Sequence, residues 1–468
     1  MIPVRNPRTG AVDFEIDPPS AGALDALARR LRRGQQRWQD DGLAARLEAL
    51  RRWRDGLVAR RDDVVSALTA DTGRREISAL EFDLVTGTIE RWCRLAPELL
   101  ADPGERDSAV PWIKIQSRQV PYHLVGVISP WNFPLLLSTL DTIPALVAGC
   151  AVIVKPSEIA PRFAAPVQRA IDDVAGLRDA FAYVAGAGET GAALIDRVDL
   201  VCFTGSVATG RKVAHAAAQR FIPANLELGG KDPAIVCRDA DLGLASSAIV
   251  WGAVANTGQS CLSIERVYVD ANVHDVFVNQ LVEKAGALRL AYPGLDDGPI
   301  GPIIAARQAA IIQDHLDDAR AKGARVRCGG AIETLGGGLW CRPTVLTGVT
   351  HEMRAMTDET FGPIIPVMPF ATDDDAVRLA NDTIYGLSAA VFSRDERRAA
   401  ALADRLEAGA ISINDAALTA VIHEGEKHAF RFSGMGESRM GPASLRRFLR
   451  RKAYLINRNA TINPWWFR

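Results

Sequence analysis

The chain has 468 residues, room at about 150 residues per domain for two large domains or three smaller ones. Hydrophobic residues make up 48% and charged residues 24%, a balance that excludes a disordered, collagen-like or disulfide-stapled chain. Lys+Arg total 55 against Asp+Glu 56, so the net charge of -1 offers no footprint for nucleic acid.

Met1–Pro7 turns polar at once, so no apolar leader is expected. Residues 20–100 read as helices. Leu43, Leu47, Leu50, Trp53 and Leu57 recur at helical spacing, and Ile77, Leu80, Leu84, Trp92 and Leu95 suggest a second helical stretch. Beyond Ile113, short apolar runs alternate with helical segments. Strands are predicted at Val125–Ser129, Ala151–Val154, Ala182–Val184 and Leu200–Phe203, and helices at Leu135–Ala148, Ala164–Val174 and Gly210–Gln219. The longest nearly apolar stretch, Ile143–Val154, falls short of the ~20 residues that span a bilayer, so no integral membrane segment is expected and the reading is cytoplasmic. A second alternating region begins near Gly229, with strands at Ala234–Val236, Val267–Val269 and Pro343–Leu346, a helix over Val273–Leu288, and a glycine-rich loop over Gly329–Gly338. The pattern predicts two α/β domains joined near residue 229, each with a parallel sheet that places ligands at strand ends.

Six segments have residue types suited to chemistry. The turn Phe203–Gly210 sits between a strand and a helix, where free N–H groups and the helix dipole favour an anion. It lacks the three-glycine dinucleotide fingerprint, and Arg211-Lys212 stand where a P-loop requires Lys and then Ser/Thr. Read alone it is equally a tight turn that needs glycine. Lys155 and Glu158 follow a strand and could share the hydroxyls of a ribose, or form a plain surface ion pair. Glu227, between Leu226 and Leu228, has a setting that penalises the ionised form and suits a general base. Gly258-Gln259-Ser260-Cys261 carries one of seven cysteines; none of the seven forms a C-x-x-C pair or lies at zinc-ligand spacing, so no metal is expected. A free thiol is only about 3% thiolate at neutral pH, so a nucleophilic Cys261 would need help from its surroundings. Asp358–Pro363 and Pro130–Pro134 complete the set.

In order and spacing, Pro130–Pro134, Lys155–Glu158, Phe203–Gly210, Glu227–Lys231, Gly258–Cys261 and Glu359–Pro363 resemble the aldehyde dehydrogenase superfamily, over about residues 20–460. The resemblance implies a Rossmann-type cofactor domain over residues 1–228, with oligomerisation strands near 110–122. An α/β catalytic domain over 229–430 and a C-terminal return and oligomerisation segment over 431–468 would follow. Cys261 would attack the aldehyde carbonyl, with Asn132 and the Cys261 N–H as the oxyanion hole. Glu227 would activate water against the resulting thioester. Lys155 and Glu158 would hold the adenosine ribose, Gly205 and Ser206 the pyrophosphate, and Glu359 the nicotinamide ribose. Trp131, Leu228 and Phe361 would border the cofactor. NAD is expected and NADP admitted, since a 2′-phosphate would meet like charge at Glu158.

Phe133, Leu136, Leu140 and Leu262 would line the channel to Cys261, implying an apolar aldehyde, aromatic or of medium to long chain. His423–Gly434 departs from the family pattern. It leaves open a semialdehyde dehydrogenase in which Lys427 or Arg431 holds a carboxylate. A CoA-acylating relative is the other enzymatic alternative, and Glu227 argues against it. A non-catalytic protein is opposed by Cys261, Glu227 and Asn132 standing together. Stretches at Arg118–Pro121 and Lys452–Asn457 imply a homodimer or homotetramer, and the aromatic tail Pro464–Phe467 is expected to pack on a neighbouring subunit.

Overall fold

The runs read as buried strands assemble into two mostly parallel sheets in the computed structural model, which describes residues 1–460. The expectation for the tail Pro464–Phe467 lies outside the described residues. The first sheet has six strands in the order Gly434–Met435, Ala224–Glu227, Leu200–Thr204, Leu124–Ile128, Ala151–Lys155, Phe181–Tyr183. All neighbours are parallel except the short Gly434–Met435 strand, which runs antiparallel to Ala224–Glu227. The register sets Ile128 beside both Lys155 and Phe203, and Thr204 beside Glu227. The carboxyl ends of four strands therefore finish at one level.

The second sheet has seven strands in the order Arg325–Cys328, Thr344–Thr347, Ile364–Phe370, Ile264–Asp270, Asp232–Val236, Ser388–Phe392, Ala410–Ile413, and only the first pair is antiparallel. Its strands alternate between two apolar layers, with Val267 and Val269 in one and Tyr268 in the other. Only Leu228–Lys231 separate the last residue of Ala224–Glu227 from the first of Asp232–Val236. A three-stranded antiparallel sheet joins Leu449–Asn457 to Ile113–Pro121 and then Glu105–Asp107. Among the described residues no helix is long and apolar enough to cross a membrane.

Two local expectations need correction. The helix expected over Leu135–Ala148 is two helices, Pro134–Thr139 and Thr142–Ala148. Pro144 has no N–H to give the Leu140 carbonyl, so the helix breaks there and Asp141 sits at the break. The loop expected over Gly329–Gly338 contains most of a hairpin, Ile332–Leu335 with Gly338–Cys341, closed by Gly336 and Gly337 at φ 60 and 87. In the helix Arg75–Leu99 the core is filled by Phe82, Val85, Ile89 and Trp92, while Ile77, Leu80 and Leu84 face a cavity instead.

Candidate active site

The carboxyl ends of the first sheet meet the amino ends of the second. Asn132 follows Leu124–Ile128, Glu158 follows Ala151–Lys155, and Glu227 closes its own strand; Cys261 and Glu359 precede Ile264–Asp270 and Ile364–Phe370. Such a junction gathers residues far apart in sequence without bending any strand.

Cys261 is presented by a strained turn. Asn256 and Thr257 have φ 57 and 58, left-handed values that cost L side chains about 1–2 kcal/mol each. The Asn256 amide donates to the carbonyls of Asn132 and Gln259 at 3.0 and 2.9 Å, and the Thr257 hydroxyl donates to the Gly301 carbonyl at 3.2 Å. At Gly258, φ is 67 and a Cβ would stand 2.4 Å from the Gly362 carbonyl, so only glycine fits. Gln259 fixes the other side of the turn, receiving the Ile304 N–H at 2.9 Å and donating to the Pro302 carbonyl at 3.2 Å.

Asn132 is buried beside this turn. Its Nδ2 donates to the Gln259 carbonyl at 3.1 Å, and its own carbonyl accepts from Arg74 Nη2 at 3.0 Å. Two turns further along, on the helix Arg75–Leu99 that Arg74 precedes, Glu81 accepts the Leu136 N–H at 2.8 Å. Both ends of Asn132–Leu136 are thus held by two buried charged side chains, Arg74 and Glu81, at the start of one helix.

Glu227 and the Cys261 thiol line one cavity, and the carboxylate acts on the thiol across it. Burial, and then Glu227 itself, push that thiol well above its ordinary range, while Lys427 and Arg439 pull the other way. The purely apolar setting expected for Glu227 is corrected, because Arg439 forms an ion pair with it. The Arg439 guanidinium also meets Asp141, through Nη2 at 2.6 Å and Nε at 3.1 Å, and the Thr204 hydroxyl at 2.6 Å. Arg447 pairs with the same Asp141. Burial opposes the charge of Asp141, yet the two guanidinium groups hold it down to about 2.

Two cavities meet at Cys261. One, of about 730 Å³, is lined by Asn132 and Cys261 together with Trp131, Lys155, Glu158, Gly205, Ser206, Leu228, Glu359 and Phe361, so every residue expected at the cofactor lies on it. Lys155 is buried and donates to Gly186 O at 3.0 Å and Glu158 Oε2 at 3.2 Å. Ser206 caps the helix Val207–Gln219, its Oγ accepting the Thr209 N–H at 3.4 Å, so the first free N–H groups of that helix open at the cavity. Glu359 takes the Gly230 N–H at 3.2 Å and fills the space a Cβ on Gly229 would need, 2.4 Å away. Phe361 meets Trp131 edge to face at 5.4 Å.

The other cavity, of about 250 Å³, is lined by Glu227 and Cys261 with Phe133, Leu136, Leu140 and Leu262, the residues expected at the substrate. Sequence reasoning missed Arg439, Asp141, Arg74 and Glu265, whose carboxylate accepts the Thr360 and Phe361 N–H groups, and it gave Gln259 no role of its own. Arg439 reaches Glu227 because Gly434–Met435 pairs with Leu226 and Glu227, 212 positions away from Arg439 at its Glu227 partner, and no local pattern announces that contact.

The aldehyde dehydrogenase family model matches residues 1–454. A solved structure of a provisionally named aldehyde dehydrogenase from Anabaena variabilis is 60% identical, covers 100% of both chains and superposes with a TM-score of 0.98. Curated relatives include a provisionally named NADP+ succinate-semialdehyde dehydrogenase of Mycolicibacterium smegmatis, 36% identical over 88% of this chain and 80% of its own. Another is a 4,4′-diapolycopene aldehyde oxidase of a Methylomonas species, 38% identical over 92% of this chain and 79% of its own. The chain belongs to the aldehyde dehydrogenase family and is an enzyme of that family.

Proposed function

We propose that the chain is a hydrolytic, NAD(P)+-dependent dehydrogenase of apolar aldehydes. The observation that carries this reading is the pair of cavities that share Cys261, one large and lined by Lys155, Glu158 and Glu359, the other walled by Phe133, Leu136, Leu140, Trp251 and Leu262. The larger has the size of a small-molecule site and sets a helix N-terminus, a buried lysine and two carboxylates along one cleft, a donor set that fits a dinucleotide.

Cys261 gives up its proton to Glu227 and its sulfur bonds to the aldehyde carbon. The carbonyl oxygen takes the negative charge, facing Asn132 Nδ2 and the Cys261 N–H. When bound, the nicotinamide cofactor supplies the two-electron oxidant that turns this adduct into a thioester. Glu227 releases the first proton to solvent and then takes a second from water. The water oxygen bonds to the acyl carbon, the carbon–sulfur bond breaks to free the acid, and the Cys261 thiolate recovers the second proton from Glu227.

Each CH₂ buried in the smaller chamber should add about 0.8 kcal/mol, or roughly fourfold in kcat/KM, until it is full. The test compares propanal, hexanal, decanal, benzaldehyde and succinic semialdehyde under one set of conditions. A rise along the alkanals supports the reading; succinic semialdehyde as the best substrate overturns it.

The semialdehyde reading has one observation in its favour. Lys427 lines the same chamber, and its ammonium has no hydrogen-bond or ion-pair partner among the described residues. Arg431 does not share that role: its guanidinium donates to the carbonyls of Asn381, at 2.6 Å, and Thr383. For assembly we propose a homo-oligomer through Leu449–Asn457, an edge strand with Leu455 70% exposed; light scattering that gives the monomer mass would refute it.

A further inference from the structure

The segment that departs from the family pattern leads straight to the base. Ser433 accepts the Leu228 N–H through its carbonyl at 2.8 Å and donates its hydroxyl to Gly229 O at 2.7 Å, and Gly434–Met435 then pairs with Leu226 and Glu227. The chain that leaves this strand brings Arg439 onto the Glu227 carboxylate. The arrangement has three members: a thiol, a carboxylate on the wall of the same cavity, and a third group ion-paired to that carboxylate. The third group is itself immobile. Arg439 is 10% exposed, and the planar fork of its guanidinium is held by Asp141, 2% exposed, and by Thr204.

We propose that Arg439 is a positioning residue, fixing the Glu227 carboxylate toward Cys261 for the hydrolytic half of the reaction. It is too fully engaged to receive a substrate carboxylate, and it touches no reacting atom. The groups that share the chamber with Glu227 are Cys261, Arg439, Asp141, Arg447, Lys427, His423 and Glu437, and among the described residues only Arg439 is ion-paired to it. The inference rests on Glu227 being the base for thioester hydrolysis.

The test turns Arg439→Met, Arg439→Lys and Thr204→Val over with hexanal and NAD+, measuring the steady-state rate. In parallel it measures the fraction of enzyme carrying an acyl group on Cys261, by intact mass after rapid quenching. For Arg439→Met the rate should fall ~10²-fold, the scale of a mispositioned group, while acylated Cys261 accumulates. Hydroxylamine, which needs no base to attack a thioester, should restore turnover. Arg439→Lys, which keeps the charge but not the fork, should fall between Arg439→Met and wild type. Where Arg439→Met fails to fold, the same accumulation in Arg439→Lys and Thr204→Val supports the assignment. A slowed variant with a free Cys261 thiol, or a rate equal to wild type, overturns it. Glu227→Gln, run alongside, separates the two readings: full turnover there removes the base itself, whereas its collapse beside an unaffected Arg439→Met removes only the positioning role.

Discussion

Glu265 Oε1 accepts the backbone N–H of Phe361 at 2.7 Å, so a residue that never reaches the cleft sets the loop that does. Its other oxygen takes the Thr360 N–H and the Lys231 ammonium, each at 2.7 Å. Phe361 is held at φ 51, a value that a bulky side chain avoids unless its surroundings impose it. Glu265→Gln should therefore weaken cofactor binding without touching the cofactor. It leaves Lys231, 0% exposed, without its counter-ion, for which a loss of about 3–5 kcal/mol in stability is expected. Urea unfolding and a cofactor titration measure both, and unchanged cofactor affinity in a folded variant would show that the loop holds its own shape.

Cys261→Ala should abolish turnover and leave cofactor binding nearly intact, because on the proposed mechanism it deletes the nucleophile alone. Asn132→Ala should lose ~10²–10³ in kcat, the cost of one oxyanion donor. Some of the loss will reflect the contact of Asn132 Nδ2 with Gln259 O, which braces the Cys261 turn. Reaction of Cys261 with iodoacetamide separates these effects: if alkylation slows as much as turnover, the amide acts on the turn and not on the oxyanion.

The pH dependence of cofactor binding should follow Glu359. Burial first, and then the nearby Glu265, push its carboxyl up to about 8, against the pull of the Gly230 N–H and Lys231. A carboxyl raised above its ordinary 4.5 contributes stability that is fully present below that value and lost as pH rises through about 8. Binding has the opposite sign, since the ionised form is the better acceptor for ribose hydroxyls and attracts the cationic nicotinamide. NAD+ affinity should rise as pH passes upward through about 8, and Glu359→Gln should flatten the curve. Calorimetric titration on both sides of that pH decides it; a slope that survives in Glu359→Gln assigns the dependence to another group.

The strands read from the sequence were legible because each is a nearly unbroken apolar run, which buried parallel strands require, whereas Arg325–Cys328, with arginines at alternate positions, offers no such run. The helices were legible in type but not in what they face. Ile77, Leu80 and Leu84 have the same spacing whether they meet a core or a chamber, and only the fold decides that they meet a chamber. Pro144 carried the signal that splits Thr142–Ala148 from the preceding helix, and Gly336-Gly337 the signal for a hairpin; both were present as residue types before the geometry gave them meaning. The motif residues reach their two cavities through strand ends that the alternating pattern already implied. Arg439, Glu265 and Arg74 were not legible. Each acts through a contact to a distant backbone or carboxylate, and nothing in the neighbouring sequence distinguishes it from a solvated charge.

The last prediction concerns the choice between NAD and NADP. Glu158 stands on the wall of the larger cavity with its side chain 36% exposed, and its one ion-pair partner among the described residues is Lys155 at 3.2 Å. Lys155 is buried and also engaged by the Gly186 carbonyl at 3.0 Å, so its charge is already shared when a ligand arrives. A 2′-phosphate placed near Glu158 would meet about 4 kcal/mol of repulsion per charge at ~4 Å in a medium of intermediate polarity. Lys155 and solvent offset roughly half of that, which leaves an NAD preference of ~10–10² in kcat/KM. A ribose 2′-hydroxyl, by contrast, would donate to the same carboxylate. Glu158→Ser removes the repulsion and keeps a small polar group, so NADP turnover should rise and NAD turnover fall, narrowing the ratio from both sides. Lys212 and Arg307 line the same cavity and would then favour the extra phosphate. Equal kcat/KM for the two cofactors in the wild-type enzyme, or a ratio unmoved by Glu158→Ser, would place the discrimination elsewhere in the cleft.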